Sequence, residues 1–508
     1  MCNYVIRCFI LYFILIFFLF LNISCEKGVQ TAICTPTNTH AERSSDSNSE
    51  SPNSLIANTN PKKIDFYLDV SLSMKGFVVN SKKKKTRQNH YELDSELNEI
   101  KIFENIDYHY IKFLNVLPAI CPIITGDSGN VSYSKFGTNI VSMDTQQIYK
   151  AARPVKCFNK VACPSFYDTC VRGKCLYRES HIGEVLNLAI EKDDESLSII
   201  LTDLFLMKEQ ISGETSEVCR PLIQAINNGK SVGILGIKSH FTGRVYDLPI
   251  DKPSYYDLDG SRPFFVLMIG KTEHIIKFYN KIEKQVFEGV PQDIFNFYIF
   301  TSDLFNSKAI TMETFNKLDK IEFYNGKETY QLIKNMPSYQ QFIINRSKKG
   351  FNLSLDISKI QRPFTLPVTK FKEKKDFWLH NYKRTSNEQL CKQGWIPLKP
   401  DIIPVEVIWE EQSLNIMVFK STSSLPSNKT YFLSMALEIE DIGFDTQTKK
   451  WLSEWSFDAS QQFDLLAKQP DFFPTLNLKQ LYLILSDVVK ENIKNKQVGV
   501  LNMAFRKR

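Results

Sequence analysis

The sequence predicts an α/β protein with a mainly parallel central sheet, followed by a β-rich C-terminal domain for which a sandwich is one arrangement. Between residues 64 and 286, strand-like apolar runs alternate with helical stripes, a pattern typical of strands joined by crossover helices. The run at 197–201 has no polar alternation, which favours a central strand covered on both faces. After about residue 340, strand-like runs follow one another with few helices between them.

The elements of the first part follow from hydrophobic periodicity. Apolar residues at helical spacing predict helices at 102–117, 182–190, 216–228 and 272–286. Short apolar or alternating runs predict strands at 64–68, 131–136, 197–201, 231–237 and 264–269. In the second part, strands are predicted at 351–355, 364–371, 405–409, 414–419, 431–439 and 498–505, and a helix at 476–492.

The N-terminal segment is typical of export. Arg7 precedes a 14-residue apolar run, which is shorter than a membrane span but suits a signal peptide. The run ends in Ser24-Cys25, which resembles a bacterial lipobox, although Asn22 stands where an aliphatic residue is usual. We therefore expect lipid on Cys25 and a membrane-anchored location in the cell envelope. An ordinary cleaved signal and an uncleaved anchor are the alternatives, and both also export the chain.

The chain of 508 residues is too long for one hydrophobic core, so we expect several domains. A net charge of +7 among 119 charged residues does not indicate nucleic-acid binding. The predicted segments are a signal peptide at 1–25, a Ser- and Asn-rich tether at 26–62, an α/β domain at 63–300, a connection at 301–340 and a β-rich domain at 341–508. The α/β domain carries insertions at 77–100 and 141–179.

The stretch DVSLSMKG at residues 69–76 comes directly after the first predicted strand. In an open α/β sheet, ligands bind at the carboxyl ends of the strands. Asp69, Ser71 and Ser73 place one carboxylate and two hydroxyls at alternate positions of such a turn. Oxygen ligands of this kind suit a hard cation such as Mg²⁺. The alternative is that these side chains only cap the turn or the following helix.

The same stretch resembles the Asp-x-Ser-x-Ser-Met-x-Gly motif of the von Willebrand factor A domain, which has a Rossmann-like fold. In that family the motif opens a metal-ion-dependent adhesion site, completed by a Thr before a helix and by the Asp of a Thr-Asp-Gly sequence after a buried strand. The resemblance implies that Ser180 and Asp203 complete the site here, with Thr138 as a weaker rival for Ser180. Ser180 replaces Thr, and Leu204 replaces Gly.

The resemblance implies a bound Mg²⁺, or Mn²⁺ or Ca²⁺, that accepts a carboxylate from an acidic protein or matrix partner. Three of the five ligands are neutral hydroxyls, so the ion stays electron-poor and can take such a ligand. A hydrolase would need a base or nucleophile beside the metal, and the sequence has no His-Glu-x-x-His, Gly-x-Ser-x-Gly or P-loop motif. We therefore expect an adhesion protein and not an enzyme. A structural envelope component without a working metal site is the alternative.

Both insertions adjoin the metal loops, so we expect them on the metal face of the domain. The first holds a basic run that could form a positive rim for acidic partners, or simply a solvated loop; its residues are Lys82, Lys83, Lys84, Lys85 and Arg87. Eight cysteines lie beyond Cys25, and an even number in an exported chain favours disulfides. The second insertion holds four of them, at 157, 163, 170 and 175. Their spacing of 6, 7 and 5 residues lacks the paired pattern of zinc sites and favours two local disulfides.

Overall fold

The computed structural model is described over part of the chain. The described residues are 60–79, 107–127, 130–144, 160–167, 170–171, 174–175, 180–206, 216–246, 248–250, 255–305, 321–323, 330–336, 339–344, 351–356, 361–380, 395–399, 402, 405–409, 414–419, 425–427 and 429–507. None of the helices in these ranges combines the length and the apolar character needed to cross a lipid bilayer. The signal segment at 1–25, the lipidation residue Cys25 and the tether up to residue 59 lie outside the described residues.

The first part of the chain is a mixed α/β unit around a seven-stranded sheet. Its strands and those of a small hairpin are β1 (Lys63–Asp69), β2 (Val131–Phe136), β3 (Ile140–Ser142), β4 (Cys170–Val171), β5 (Lys174–Cys175), β6 (Ser196–Thr202), β7 (Ser231–Val245), β8 (Tyr256–Gly270) and β9 (Phe295–Phe300). The sheet order is β3-β2-β1-β6-β8-β7-β9. Each strand predicted in this part of the sequence is present, and β7 and β8 are longer than predicted at 15 residues each.

The prediction of a mainly parallel sheet is wrong. Only the contacts of β1 with β2 and with β6 are parallel. The contacts β2–β3, β6–β8, β7–β8 and β7–β9 are antiparallel. The reason is that β7 and β8 follow one another in sequence with no crossover helix between them among the described residues, and they pair as an antiparallel hairpin from Ser231–Gly270 to Val245–Tyr256. Strand β8 then lies between β6 and β7, where hydrophobicity alone does not distinguish it from a parallel strand.

Helices cover both faces of this sheet, as the unpatterned apolar strands predict. They are α1 (His109–Thr125), α2 (Pro164–Tyr167), α3 (Ile182–Ile190), α4 (Cys219–Asn227) and α5 (Thr272–Val286). Helices α1 and α5 pack together in the hydrophobic cluster that contains Phe66 and Ile199. Helices α3 and α4 pack in the other cluster, which contains Tyr67 and Ile200. Strand β6 is buried along its whole length.

Helix α1 differs from its predicted range of 102–117. Its described residues begin at His109, and it continues through Pro118 and Pro122 to Thr125. The apolar stripe extends over Ile120, Cys121 and Ile124, all of which are buried. The helix ends where Gly126 adopts a left-handed conformation, which is the usual C-terminal signal.

The second part is β-rich, as predicted. Its strands are β10 (Ile321–Phe323), β11 (Tyr330–Met336), β12 (Tyr339–Ile344), β13 (Phe351–Asp356), β14 (Val368–His380), β15 (Trp395–Pro397), β16 (Val405–Trp409), β17 (Leu414–Phe419), β18 (Lys429–Ile442), β19 (Ser456–Phe457), β20 (Thr475–Leu476) and β21 (Gln497–Lys507). Two larger sheets have the orders β10-β13-β17-β16 and β11-β12-β21-β18-β14-β15. The helices are α6 (Thr446–Trp455), α7 (Gln462–Ala467) and α8 (Leu478–Ile493). Strands β10 and β11 lie within 301–340, which was predicted as a connection.

The two parts share one hydrophobic cluster. Helix α8 packs against α4, and the cluster on that face of the first sheet includes Tyr431, Trp451 and Tyr482. The guanidinium of Arg362 binds the carboxylates of Glu273 and Asp303 at 2.8 and 2.7 Å. The division into domains stays a prediction, and these contacts place the α/β unit and the C-terminal helices in direct contact.

Candidate metal centre

Strands β1, β2 and β6 end at the same edge of the sheet. Asp69 pairs in register with Phe136, and Leu68 pairs with Leu201. The parallel contacts therefore place the loop after each strand beside the others. The backbone amide of His181 donates to the Gly137 carbonyl at 3.0 Å, and this bond holds the start of α3 against the loop that follows β2. Loops far apart in sequence thus meet at one edge.

The carboxylate of Asp69 is the centre of this region. The Ser180 hydroxyl donates to Asp69 Oδ2 at 2.8 Å, across 111 residues of sequence. The Thr202 hydroxyl donates to the same oxygen at 2.9 Å, and the Ser71 amide donates to Oδ1 at 2.9 Å. Asp69 is fully buried, whereas Ser73 and Ser180 are half-buried. The convergence of Ser180 on Asp69, expected from the resemblance, is thus present.

The two serines of the motif face one another and do not cap the helix. Their hydroxyl oxygens lie 3.0 Å apart. A 3-10 helix follows at Leu72–Val78 with Ser71 at its N-cap position, but the Ser71 side chain makes no capping hydrogen bond. Helix capping therefore does not account for these hydroxyls, whereas the bond from the Ser71 amide to Asp69 Oδ1 is the turn capping that the alternative predicts.

The spacing of these oxygens fits an octahedral Mg²⁺. Ligands at about 2.1 Å from the ion lie about 3 Å from their neighbours around the octahedron. The Ser71–Ser73 distance of 3.0 Å and the Ser180–Asp69 distance of 2.8 Å are close to that edge length, which is also the length of an ordinary hydrogen bond. Carboxylate and hydroxyl oxygens are also the donors that this cation prefers. The residues present therefore fit a hard divalent cation.

Backbone packing and backbone conformation explain which residues stand at positions 76 and 204 of the two loops. A Cβ atom on Gly76 would lie 2.4 Å from the Phe241 ring of β7, so the motif glycine allows the long β7–β8 hairpin to pack on the loop. Leu204 has a φ of 46°, a left-handed conformation that favours glycine. Leu204 therefore has the left-handed backbone conformation that glycine, the usual residue of the motif at this position, adopts most easily.

Asp203 lies in the same region but has a cationic partner of its own. Its Oδ2 is 3.1 Å from the Nη1 of Arg262 on β8, and both residues are almost completely buried. The contact is an ion pair by distance, although its angle does not meet that of a hydrogen bond. The guanidinium also lies 5.1 Å from the ring centre of Phe205 and 5.4 Å from that of Phe241. An arginine therefore stands where the resemblance implies only metal ligands.

Burial dominates the electrostatics of the site. The pKa of the Asp69 carboxyl is raised from 3.8 to about 6: burial is the largest cause, the charge of Asp203 adds to it, and hydrogen bonds from Ser71 and Ser180 partly offset both. The hydroxyls of Tyr110 and Tyr167 lie 2.9 Å apart nearby, and burial raises the pKa of Tyr110 well above its usual 10. The site therefore opposes negative charge unless a cation is present.

The other site predictions have mixed outcomes. Thr138 is half-buried, and it is Ser180 that bonds to Asp69. The basic residues Lys82, Lys83, Lys84, Lys85 and Arg87 lie outside the described residues. In the second insertion, α2 packs against the 3-10 helix at Leu72–Val78, and the placement of the whole insertion on a metal-binding face stays a prediction.

The cysteines also have two different outcomes, since some are bonded or paired in the second insertion and others are free. Cys163 is disulfide-bonded, and Cys170 and Cys175 are paired positions in the backbone register of the β4–β5 hairpin. Cys121 and Cys219 are free and buried, so the even cysteine count does not mean that every cysteine is paired. Each packs in a hydrophobic cluster, where a thiol behaves as a small apolar group.

Sequence reasoning missed two residues of the site. Thr202 was part of the Thr-Asp pattern, but its hydroxyl was not assigned to Asp69. Arg262 gave no signal except that a charged residue precedes an apolar strand. Its position depends on the antiparallel insertion of β8 beside β6, which the sequence pattern did not predict.

No protein-family model, no curated protein and no solved structure matches this chain. Within the described ranges, no group of three or more His, Cys, Asp and Glu residues could hold a metal ion. The candidate centre has two carboxylates and several hydroxyls, so it is not a group of that kind. What it can do is inferred from its own residues.

Proposed function

We propose that this protein is anchored in the cell envelope and binds an acidic protein or matrix partner through a divalent cation held by a von Willebrand factor A-like domain. Asp69, Ser71, Ser73 and Ser180 would hold the ion, with Asp203 nearby. The hydrogen bond from Ser180 to Asp69 carries the proposal, because it joins two motif positions that are 111 residues apart. The parallel strands β2, β1 and β6 support the likeness to that family.

The charges favour an acidic partner. Asp69, Asp203 and Arg262 together carry one net negative charge, so a bound divalent ion would leave one net positive charge. The ion would supply a Lewis-acidic position for a carboxylate of the partner. Ser73 and Ser180 are half-buried, so this side of the site reaches the surface.

We propose binding and not turnover. Asp69 accepts three hydrogen bonds, and Asp203 pairs with Arg262, so neither carboxylate is placed as a free base. His181, beside Ser180, lies 3.7 Å from Glu184 on the surface of α3. These contacts give the nearby titratable groups structural partners.

The second candidate is a structural envelope component whose A-like fold needs no metal. The Arg262–Asp203 pair favours it, because a permanent cation already neutralises one of the two carboxylates. Complete burial of Asp69 also favours it. The two candidates differ in whether an ion binds.

Calorimetric titration of the whole chain with Mg²⁺ and with Mn²⁺ separates them. We expect one bound ion in the wild type, no binding in Asp69→Asn, and affinity at least about tenfold weaker in Ser180→Ala. Ser132→Ala is the matched control, because Ser132 donates to Asp65, the other buried carboxylate of β1. Absence of heat and of any metal-induced rise in Tm in the wild type would favour the structural candidate.

The acidic partner needs its own test. An immobilised wild-type chain would be screened against peptides that carry a single Glu, alongside the same peptides with Gln. We expect binding of some Glu peptides in Mg²⁺, lost in EDTA, in the Gln versions and in Asp69→Asn. Peptide binding that is indifferent to EDTA contradicts the metal-dependent role.

A further inference from the structure

Arg262 is a fully buried cation paired with Asp203, beside the candidate metal centre. Only 1% of its side chain is exposed, and its Nη1 lies 3.1 Å from Asp203 Oδ2. Isolated buried charges are strongly unfavourable in proteins, so an arginine here must be held by its surroundings. The rings of Phe205 and Phe241 lie within cation–π distance of the guanidinium.

The backbone around Arg262 fixes its position. Strand β8 pairs with β7 at Ser239 and Arg262, and the neighbouring Ser261 amide donates to the Asp471 carbonyl at 2.7 Å. A Cβ atom on Gly260 would lie 2.1 Å from that same carbonyl. The Thr475 hydroxyl also donates to the carbonyls of Asp203 and Leu204, each at 3.0 Å. The C-terminal segment therefore holds both partners of the ion pair in place.

A divalent ion at Asp69 would enter the field of this arginine. Asp203 directly follows Thr202, whose hydroxyl donates to Asp69 at 2.9 Å, and Arg262 contacts Asp203 at 3.1 Å. In a buried region, charges a few ångströms apart interact far more strongly than in water. The guanidinium both repels a second cation and engages the carboxylate that such a cation would otherwise attract.

We propose that Arg262 is a built-in competitor of the divalent ion, which lowers the metal affinity of the centre by neutralising Asp203. This proposal rests on the proposed metal-binding function and adds a regulatory feature to it. The ion would then be held loosely, and its occupancy would follow the concentration of free divalent cation. A centre without this arginine would hold its ion more tightly.

The test is calorimetric titration of the whole chain with Mg²⁺ and with Mn²⁺. We expect Arg262→Met, which keeps volume and removes the charge, to bind the ion at least about tenfold more tightly than the wild type. Arg262→Lys keeps a cationic group beside the Asp203 carboxylate, so its affinity for the ion should stay closer to that of the wild type than the affinity of Arg262→Met does. In the Asp203→Asn background, Arg262→Met should gain much less, because the carboxylate for which the two cations compete is gone.

If a variant folds too poorly without metal for calorimetry, thermal unfolding with and without Mn²⁺ serves as a second measurement. The rise in Tm on adding Mn²⁺ should be larger for Arg262→Met than for the wild type. Equal affinities, or equal rises in Tm, would overturn the role of Arg262 while leaving the metal site intact. If neither protein binds an ion, the proposed metal-binding function itself fails and this inference fails with it.

Discussion

Strand β1 carries two buried carboxylates, and their surroundings differ. Asp65 lies near the middle of the strand, 2.9 Å from Lys63 Nζ and 3.8 Å from Lys192 Nζ. The Ser132 hydroxyl also donates to it. Asp69, four residues later at the strand end, is bonded by two hydroxyls and a backbone amide, and within the described part of the chain no cation pairs with it.

The comparison shows which carboxylate is already neutralised. Two lysines balance Asp65, so its role is complete within the fold. Around Asp69, the second carboxylate of Asp203 is balanced by Arg262, and one negative charge remains. Uncompensated charge in a buried region is unfavourable, and groups of this kind are concentrated at functional sites. That excess is the physical basis for proposing a cation at Asp69 and none at Asp65.

The largest expected effect concerns the ion pairs of the two regions. We expect Asp203→Asn to lower the free energy of unfolding by about 3–5 kcal/mol, because it removes the carboxylate beside a fully buried guanidinium. Lys192→Met, the matched change near Asp65, should cost less than about 1 kcal/mol because that lysine is one-third exposed. Guanidinium chloride unfolding measures both. Equal losses would mean that the two regions do not differ as described.

The second effect is a pH dependence that belongs to Asp69. Its folded pKa of about 6 lies above the ordinary 3.8, so the folded state holds this proton more tightly than the unfolded state. Stability from this group is complete below about pH 4 and is lost as the pH rises through about 6, by up to about 3 kcal/mol.

The measurement is the difference in unfolding free energy between the wild type and Asp69→Asn from pH 4 to pH 7, without metal. We expect this difference to move in favour of the variant as the pH rises. Saturating Mg²⁺ should flatten the dependence, because a cation favours the ionised carboxylate. A flat difference in the absence of metal would contradict the uncompensated charge.

The third effect concerns how the Asp69 end is packed. Gly76→Ala places a Cβ atom in the Phe241 ring, and we expect a loss of about 1–3 kcal/mol from overpacking. In the Phe241→Leu background the same change should cost less, because the smaller side chain leaves room. Thermal unfolding of the wild type, the two single variants and the double variant measures the coupling free energy between Gly76 and Phe241. If the two losses of stability are simply additive, the β7–β8 hairpin does not pack tightly against the loop.

The smallest effect separates the two carboxylates themselves. Without metal, we expect Asp65→Asn to lose about 1–2 kcal/mol, because the lysines and Ser132 lose a charged acceptor. Asp69→Asn at neutral pH should be neutral or slightly stabilising, because it removes a buried charge that Asp203 repels. Urea unfolding at pH 7 in EDTA measures both. If Asp69→Asn lowers the free energy of unfolding more than Asp65→Asn does, then Asp69 and not Asp65 is the better compensated carboxylate, which contradicts this description.

Much of the α/β unit could be predicted from local patterns. Helix α5 begins and ends as predicted, β2 does so too, and β6 differs by one residue at each end. These elements have strong periodicity or unbroken apolar runs, and their boundaries carry local signals. The resemblance of the Asp69 stretch to a known motif predicted that Ser180 lies near Asp69, and the two side chains are hydrogen-bonded.

What only the tertiary structure decided is the direction of β8 and the side chain that this direction brings in. Parallel and antiparallel buried strands have the same apolar composition, so hydrophobicity could not show that β8 lies between β6 and β7. Its placement sets Arg262 against Asp203, and the C-terminal segment at Thr475 holds the same loop from a distance of 272 residues in sequence. The sequence by itself determined most of the elements and the Asp-Ser-Ser turn after β1, because both depend on neighbouring residues. The charge balance of the centre depends on contacts between distant strands, and only the folded chain brings those together.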